Sequence, residues 1–105
     1  MYSFDDYQKF ARSTAIYPPD AGIIYPTMGL ASEAGEVAGK VKKYIRDGGE
    51  FPVNDLKKEL GDVLWYVAVL ASEFGINLSD VVQANADKLI DRSARGVLSG
   101  SGDNR

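Results

Sequence analysis

Two pairs of acids share one spacing in this chain, Glu33-Ala34-Gly35-Glu36 and Glu59-Leu60-Gly61-Asp62. Residues three apart lie on the same face of an α-helix, so each pair would present both carboxylates in one direction. If the two segments are helices joined by a short turn, they run antiparallel, and each pair lies about ten residues, or roughly 15 Å, from that turn. The pairs then face each other. Four ionised acids in so small a space repel unless they are protonated or neutralised by a divalent cation. One such pair alone is usually a solvated helix face; two facing pairs make Glu33, Glu36, Glu59 and Asp62 a candidate metal centre and catalytic quartet.

The residue types that are missing narrow the chemistry further. The chain has no histidine and no cysteine. That excludes Ser-His-Asp triads, thiolate nucleophiles, disulfides and Cys/His zinc sites. A metal would be held by oxygen atoms, which suits Mg²⁺, with Mn²⁺ the alternative. The net charge of -3 gives no general basic field, so a partner held by its phosphate backbone, such as a nucleic acid polymer, is not expected. Any anion must meet a local site. One is suggested by Asn85, Lys88, Arg92 and Arg95, which fall with Val81 on one stripe at helical spacing. Arg offers a bidentate fork and Lys a point charge, the usual grip on phosphate. Lys40 extends the Glu33/Glu36 face by a further turn and suits the same role.

Helices must position these groups, because periodicity near 3.6 dominates and no stretch alternates with period two. A first helix is predicted from Ser3 to Ala15, opened by Ser3 with Asp6 three residues on and ended before Pro18-Pro19. A turn-rich loop from Tyr17 to Pro26 follows. The second helix runs from about Thr27 to Arg46, with Leu30, Ala34, Val37, Val41, Tyr44 and Ile45 on one stripe, and Asp47-Gly48-Gly49 stops it. A third begins with Asn54 as N-cap and continues to Phe74, ahead of Gly75. Asn77 with Asp80 starts a fourth, which ends near Arg95-Gly96. The expected fold is all-α, a four-helix bundle-like arrangement with antiparallel central helices: one domain over 1–98 and a flexible Gly/Ser-rich tail over 99–105.

Asp62 is followed by Val-Leu-Trp-Tyr-Val-Ala-Val-Leu-Ala, which is apolar around nearly the whole helix and reads as buried. So much burial asks for more partners than a 105-residue chain provides, and a homodimer or homotetramer is expected. No apolar run approaches the roughly 20 residues of a membrane span, and no basic-then-apolar leader is evident, so a cytoplasmic protein without a membrane partner is expected. Tyr17, Tyr25, Trp65 and Tyr66 are the aromatic rings on which a base could stack, Trp65 foremost.

The E-x-x-E and E-x-x-D segments, with Asn-x-x-Lys-Leu-x-x-Arg at Asn85 to Arg92, resemble the MazG-like nucleoside triphosphate pyrophosphohydrolases. The likeness spans most of the chain. It includes the run Gly29 to Glu36, the run Glu59 to Tyr66 and the closing Gly-Ser-Gly-Asp-Asn-Arg. That family is related to the all-α dUTP and dCTP pyrophosphatases and to phosphoribosyl-ATP pyrophosphohydrolase. The resemblance implies magnesium-dependent cleavage of a nucleoside triphosphate between its α and β phosphates, giving a monophosphate and pyrophosphate, and a housecleaning duty. It leaves open a dedicated substrate such as dCTP, dUTP or phosphoribosyl-ATP. The different reading is a non-catalytic helical oligomer whose acids are structural.

Overall fold

The computed structural model describes all 105 residues as four α-helices and one short 3₁₀ turn, with no strand. Helix α1 spans Phe4–Ser13. Its N-cap is the expected Ser3, whose hydroxyl accepts the Asp6 amide at 3.1 Å, and Asp5, Asp6 and Arg12 complement the helix dipole at the two ends. The chain then turns through Pro19–Ala21.

Helix α2 spans Ile24–Asp47 and begins before the predicted Thr27. Pro26 is part of its first turn, where a missing amide hydrogen costs nothing, and it is almost fully buried. The proline read as the end of a loop thus belongs to the helix. Gly48 ends α2 at a φ of 72° while donating to the Tyr44 carbonyl at 2.8 Å. Helix α3 spans Val53–Glu73, with Pro52 and not Asn54 at its N-cap. Helix α4 spans Leu78–Ala94. Helices α3 and α4 end alike: Ile76 donates to Ala71 and Gly75 to Ser72, and Val97 donates to Arg92 and Gly96 to Ser93. Both are six-residue C-terminal closures that need a left-handed residue, supplied by Gly75 and Gly96.

The start of α4 is capped from another helix. Asn77 occupies the N-cap position but its side chain makes no cap bond. Instead Gln8 Oε1 accepts the Leu78 amide at 2.8 Å, and Asp5 accepts both the Ser79 amide, at 3.0 Å, and the Ser79 hydroxyl, at 2.8 Å. Gln8 also donates to the carbonyls of Ile76 and Ala68. One buried amide therefore ties α1 to α3 and to the turn before α4, and no buried side-chain polar atom is left without a partner.

The core is small. Ala11, Ala68, Val69 and Leu78 form it, with Tyr7, Ala15, Tyr17, Trp65 and Val67 packed around them. It lies where α1, α3 and the start of α4 meet, while α2 packs chiefly on α3. The apolar run after Asp62 is consequently not buried all round: Ala68, Val69 and Ala71 are buried, but Leu64 is 42% exposed. The shortfall arises because a single chain covers only part of the α3 surface. No helix is long and apolar enough to cross a membrane.

Candidate active site

Helices α2 and α3 are antiparallel, as their contacts require. Gly29 meets Tyr66, and one turn further along α2 Glu33 approaches Asp62, one turn back along α3. The Gly29 contact sets the spacing, because an ideal β-carbon there would stand 2.1 Å from Tyr66 Cε1.

This register brings three of the four expected acids together. Glu33, Glu59 and Asp62 each offer a carboxylate oxygen, and these oxygens all lie within 4.8 Å of one another. Glu33 and Glu59 are half-buried and Asp62 is exposed. The Glu33 carboxyl holds its proton more tightly than an ordinary glutamate. Loss of hydration is the main cause, followed by the negative charges of Asp62, Glu59 and Glu36 and a hydrogen bond shared with Glu59. Glu36 is exposed; its charge reaches Glu33, but it stands outside the trio.

A cleft of about 320 Å³ opens beside these acids, lined by Glu33, Asp62, Trp65 and Tyr66. The Trp65 indole is fixed by a 2.8 Å bond from Nε1 to Thr14 Oγ1 and by an edge-on contact with Tyr66, the ring centroids 4.9 Å apart. Tyr17 and Tyr25 stack on each other at 4.9 Å, so of the four aromatic candidates only Trp65 and Tyr66 line the cleft. Tyr17 is held further by Arg12, at 2.6 Å, and by Glu73, which itself pairs with Arg12 at 2.8 Å.

Helix α1 backs the site with a residue of the core, Tyr7, which packs against the buried cluster and does not line the cleft. The Tyr7 phenol is pushed up mainly by burial and secondarily by the charge of Asp62. The sequence signal for this packing was the helical spacing of Tyr7, Ala11 and Thr14, one face of α1 of which Ala11 is fully buried and Thr14 holds Trp65.

The proposed phosphate grip lies elsewhere on the single chain. Lys88, Arg92 and Arg95 do share a face of α4, but they bind the chain's own residues 102–105, and none lines the cleft. Asn85 is exposed and makes no side-chain hydrogen bond, and Lys40 is half-buried with no ion pair. A larger groove, about 560 Å³, runs between α1 and the α3–α4 turn. Its groups Asp5, Gln8 and Arg12 are already engaged in the helix-capping and ion-pair contacts above, so the smaller carboxylate cleft is the better candidate for chemistry.

Residues 26–97 match the family model for the MazG nucleotide pyrophosphohydrolase domain. The matched span contains all four acids, Lys40, Trp65 and the α4 row, and leaves out α1 and residues 98–105. The chain is 50% identical to the Gene 37 protein of Mycobacterium phage L5 over an alignment of 111 residues, covering 96% of this chain and 97% of that protein. It is also 36% identical to Uncharacterized protein YvdC of Bacillus subtilis (strain 168) over 73 residues, 60% of this chain and 68% of that one. No solved structure matches it.

Proposed function

Since the chain belongs to the MazG nucleotide pyrophosphohydrolase domain family, we propose that it is a magnesium-dependent enzyme that hydrolyses (d)NTPs to (d)NMPs and pyrophosphate. The observation that carries this reading is the convergence of Glu33, Glu59 and Asp62 beside a cleft walled by Trp65 and Tyr66.

The trio fits a hard divalent cation. Oxygens within 4.8 Å of one another need to close by only a few tenths of an ångström to share an octahedral ion with bonds of about 2.1 Å, and carboxylates with room for water are the donors that magnesium takes. Glu33 holds its proton more tightly first because it is desolvated and then because Asp62, Glu59 and Glu36 repel its charge, and a cation would relieve that second, like-charge part. Glu59 and Asp62 would hold the ion, with Glu33 as a further ligand or as the base and Glu36 as the fourth acid of the group. When bound, magnesium offsets the charge of the triphosphate and makes a bound water more acidic. A carboxylate of the group that the ion does not engage can take the proton of the attacking water, and Glu33, half-buried in the cleft beside Trp65 and Tyr66, is our choice for that role. Trp65 and Tyr66 offer flat apolar surface for the base. Lys40, Asn85, Lys88, Arg92 and Arg95 are the phosphate-holding candidates.

We further propose self-association as a homodimer or homotetramer. A compact chain of 11.4 kDa exposes about 5,800 Å², whereas this one exposes 7563 Å². Its radius of gyration is 16.5 Å where about 13 Å is expected. The excess, roughly 1,800 Å², matches what each partner buries in an obligate interface. A cytoplasmic role in clearing surplus or non-standard nucleotides is the physiology we expect of such chemistry.

The direct test is phosphate analysis on a panel of ribo- and deoxynucleoside triphosphates and phosphoribosyl-ATP, with and without Mg²⁺, for wild type and Glu59→Gln. Pyrophosphate release that needs metal and Glu59 supports the proposal, and the panel ranks general against dedicated substrates. No turnover on any substrate would reject it.

A further inference from the structure

Residues 99–105 are bound to the α4 cationic row by a set of mutually supporting contacts. Arg92 donates through Nη2 to the Asp103 carbonyl at 2.7 Å and to the Gly102 carbonyl at 3.3 Å, with the Asp103 carboxylate at 3.5 Å. Lys88 Nζ meets the same carboxylate at 3.3 Å, and Arg95 donates to the Arg105 carbonyl at 2.6 Å. Arg105 in turn closes the loop on itself, donating to Val97, Leu98 and Gly102 carbonyls. Gly100 and Gly102 allow this path with φ of 111° and 85°, values a side chain disfavours.

Two consequences follow from donor chemistry. Arg92 is only 5% exposed, so no outside anion reaches it while the segment stays in place. The Asp103 side chain is 84% exposed, and exposed ion pairs are weak and exchangeable. Residues 99–105 carry one acid, Asp103, and one base, Arg105, so the negative charge they bring to the row is the Asp103 carboxylate, whose exposed pair with Lys88 is the contact open to exchange.

We infer that residues 99–105 are an intramolecular occupant of the Lys88/Arg92/Arg95 row, with the Asp103 carboxylate standing where a phosphate would bind, so that a polyphosphate must displace the segment to engage the row. This rests on the phosphate-holding role proposed for that row, though not on hydrolysis or on the metal. The Asp103 carboxyl is held below the usual carboxylate range by Lys88 first and Arg92 second, in keeping with its place among these cations. A polyphosphate brings several charges where Asp103 brings one, which favours the exchange.

The test uses inorganic tripolyphosphate in EDTA, so that neither turnover nor the carboxylate site contributes. The chain has no cysteine, and Ser101→Cys carrying an environment-sensitive fluorophore reports the segment alone. Saturable release of the fluorophore by tripolyphosphate is expected, with affinity in Asp103→Asn raised by between about 1.5- and 5-fold, the range that an exposed ion pair supports. Amide exchange at residues 99–105 of the unlabelled full chain should accelerate in parallel. An unchanged fluorophore and unchanged exchange at saturation would overturn the inference. So would equal or weaker binding by Asp103→Asn, which would make the segment part of the phosphate site and not its competitor.

Discussion

Gly29 of α2 lies against the ring of Tyr66 of α3 so closely that a β-carbon added at Gly29 would stand 2.1 Å from Cε1 and 2.4 Å from Cζ. This contact fixes the distance between the two helices one turn from Glu33 and Asp62, and hence the geometry of the acidic cleft.

Gly29→Ala should therefore destabilise the fold by about 1–3 kcal/mol, the usual range for overpacking, despite the roughly 1 kcal/mol that alanine gains in helix propensity. Gly39→Ala in the same helix meets nothing within 4 Å and should be neutral or stabilising. Urea denaturation of the two variants checks this. A second change, Tyr66→Ala, should remove most of the Gly29→Ala penalty, and additive costs would show that the contact does not govern the spacing.

Magnesium should stabilise the wild type by RT ln(1 + [L]/Kd), roughly 2.7 kcal/mol at a hundredfold excess over Kd. EDTA should reverse the gain. Glu59→Gln, which removes one of the three converging carboxylates, should lose nearly all of it. Thermal melts with and without metal give the answer, and equal shifts in both proteins would place the metal elsewhere.

Trp65 is the only tryptophan and lines the cleft with Glu33 and Asp62. Its emission should change on addition of a triphosphate with Mg²⁺, with the same midpoint as KM when chemistry is slow. Trp65→Phe should keep the helix packing but lose the bond to Thr14, raising KM more than it lowers kcat. A drop in kcat alone would argue against a binding role for the ring.

Acid should weaken the α1–α4 junction. Asp5 is held below its ordinary range, first by the Ser79 amide and then by the Ser79 hydroxyl. Its folded form thus binds protons less readily than its unfolded form. The sign follows: the contribution is complete at neutral pH and is lost as pH falls from about 4 through the depressed folded value. Asp5→Asn should flatten the acid limb of a stability-against-pH curve, and an unchanged limb would mean that the cap is not felt.

Self-association can be tested on the open side of α2 and α3. Met28 is 68% exposed and Leu64 42% exposed. Sedimentation should find wild type larger than a monomer at micromolar concentration, and Leu64→Glu or Met28→Lys should shift it toward monomer with loss of stability. A stable wild-type monomer would remove the proposal.

Much of this protein is legible in the order of its residues. The 3.6-residue period, Ser3, the Gly48, Gly75 and Gly96 stops and the Asn77 boundary depend on nearest neighbours along the chain, so the four helices and their approximate ends could be read directly. The pairing of acids at i and i+3 is likewise a property of one helix, and it singled out Glu33, Glu36, Glu59 and Asp62, of which the structure brings Glu33, Glu59 and Asp62 together. What needed the tertiary structure were relations between segments far apart in sequence. Glu36 stands apart from the trio because the α2–α3 register, set by Gly29 and Tyr66, decides which acids meet. Pro26 joined a helix because only packing reveals whether a first-turn proline is buried. The cap of α4 came from Asp5 and Gln8, and the α4 cations were engaged by residues 102–105. Local spacing encodes the face a residue occupies; which face it meets is decided by the distance and direction at which helices pack, and those are properties of the assembled core.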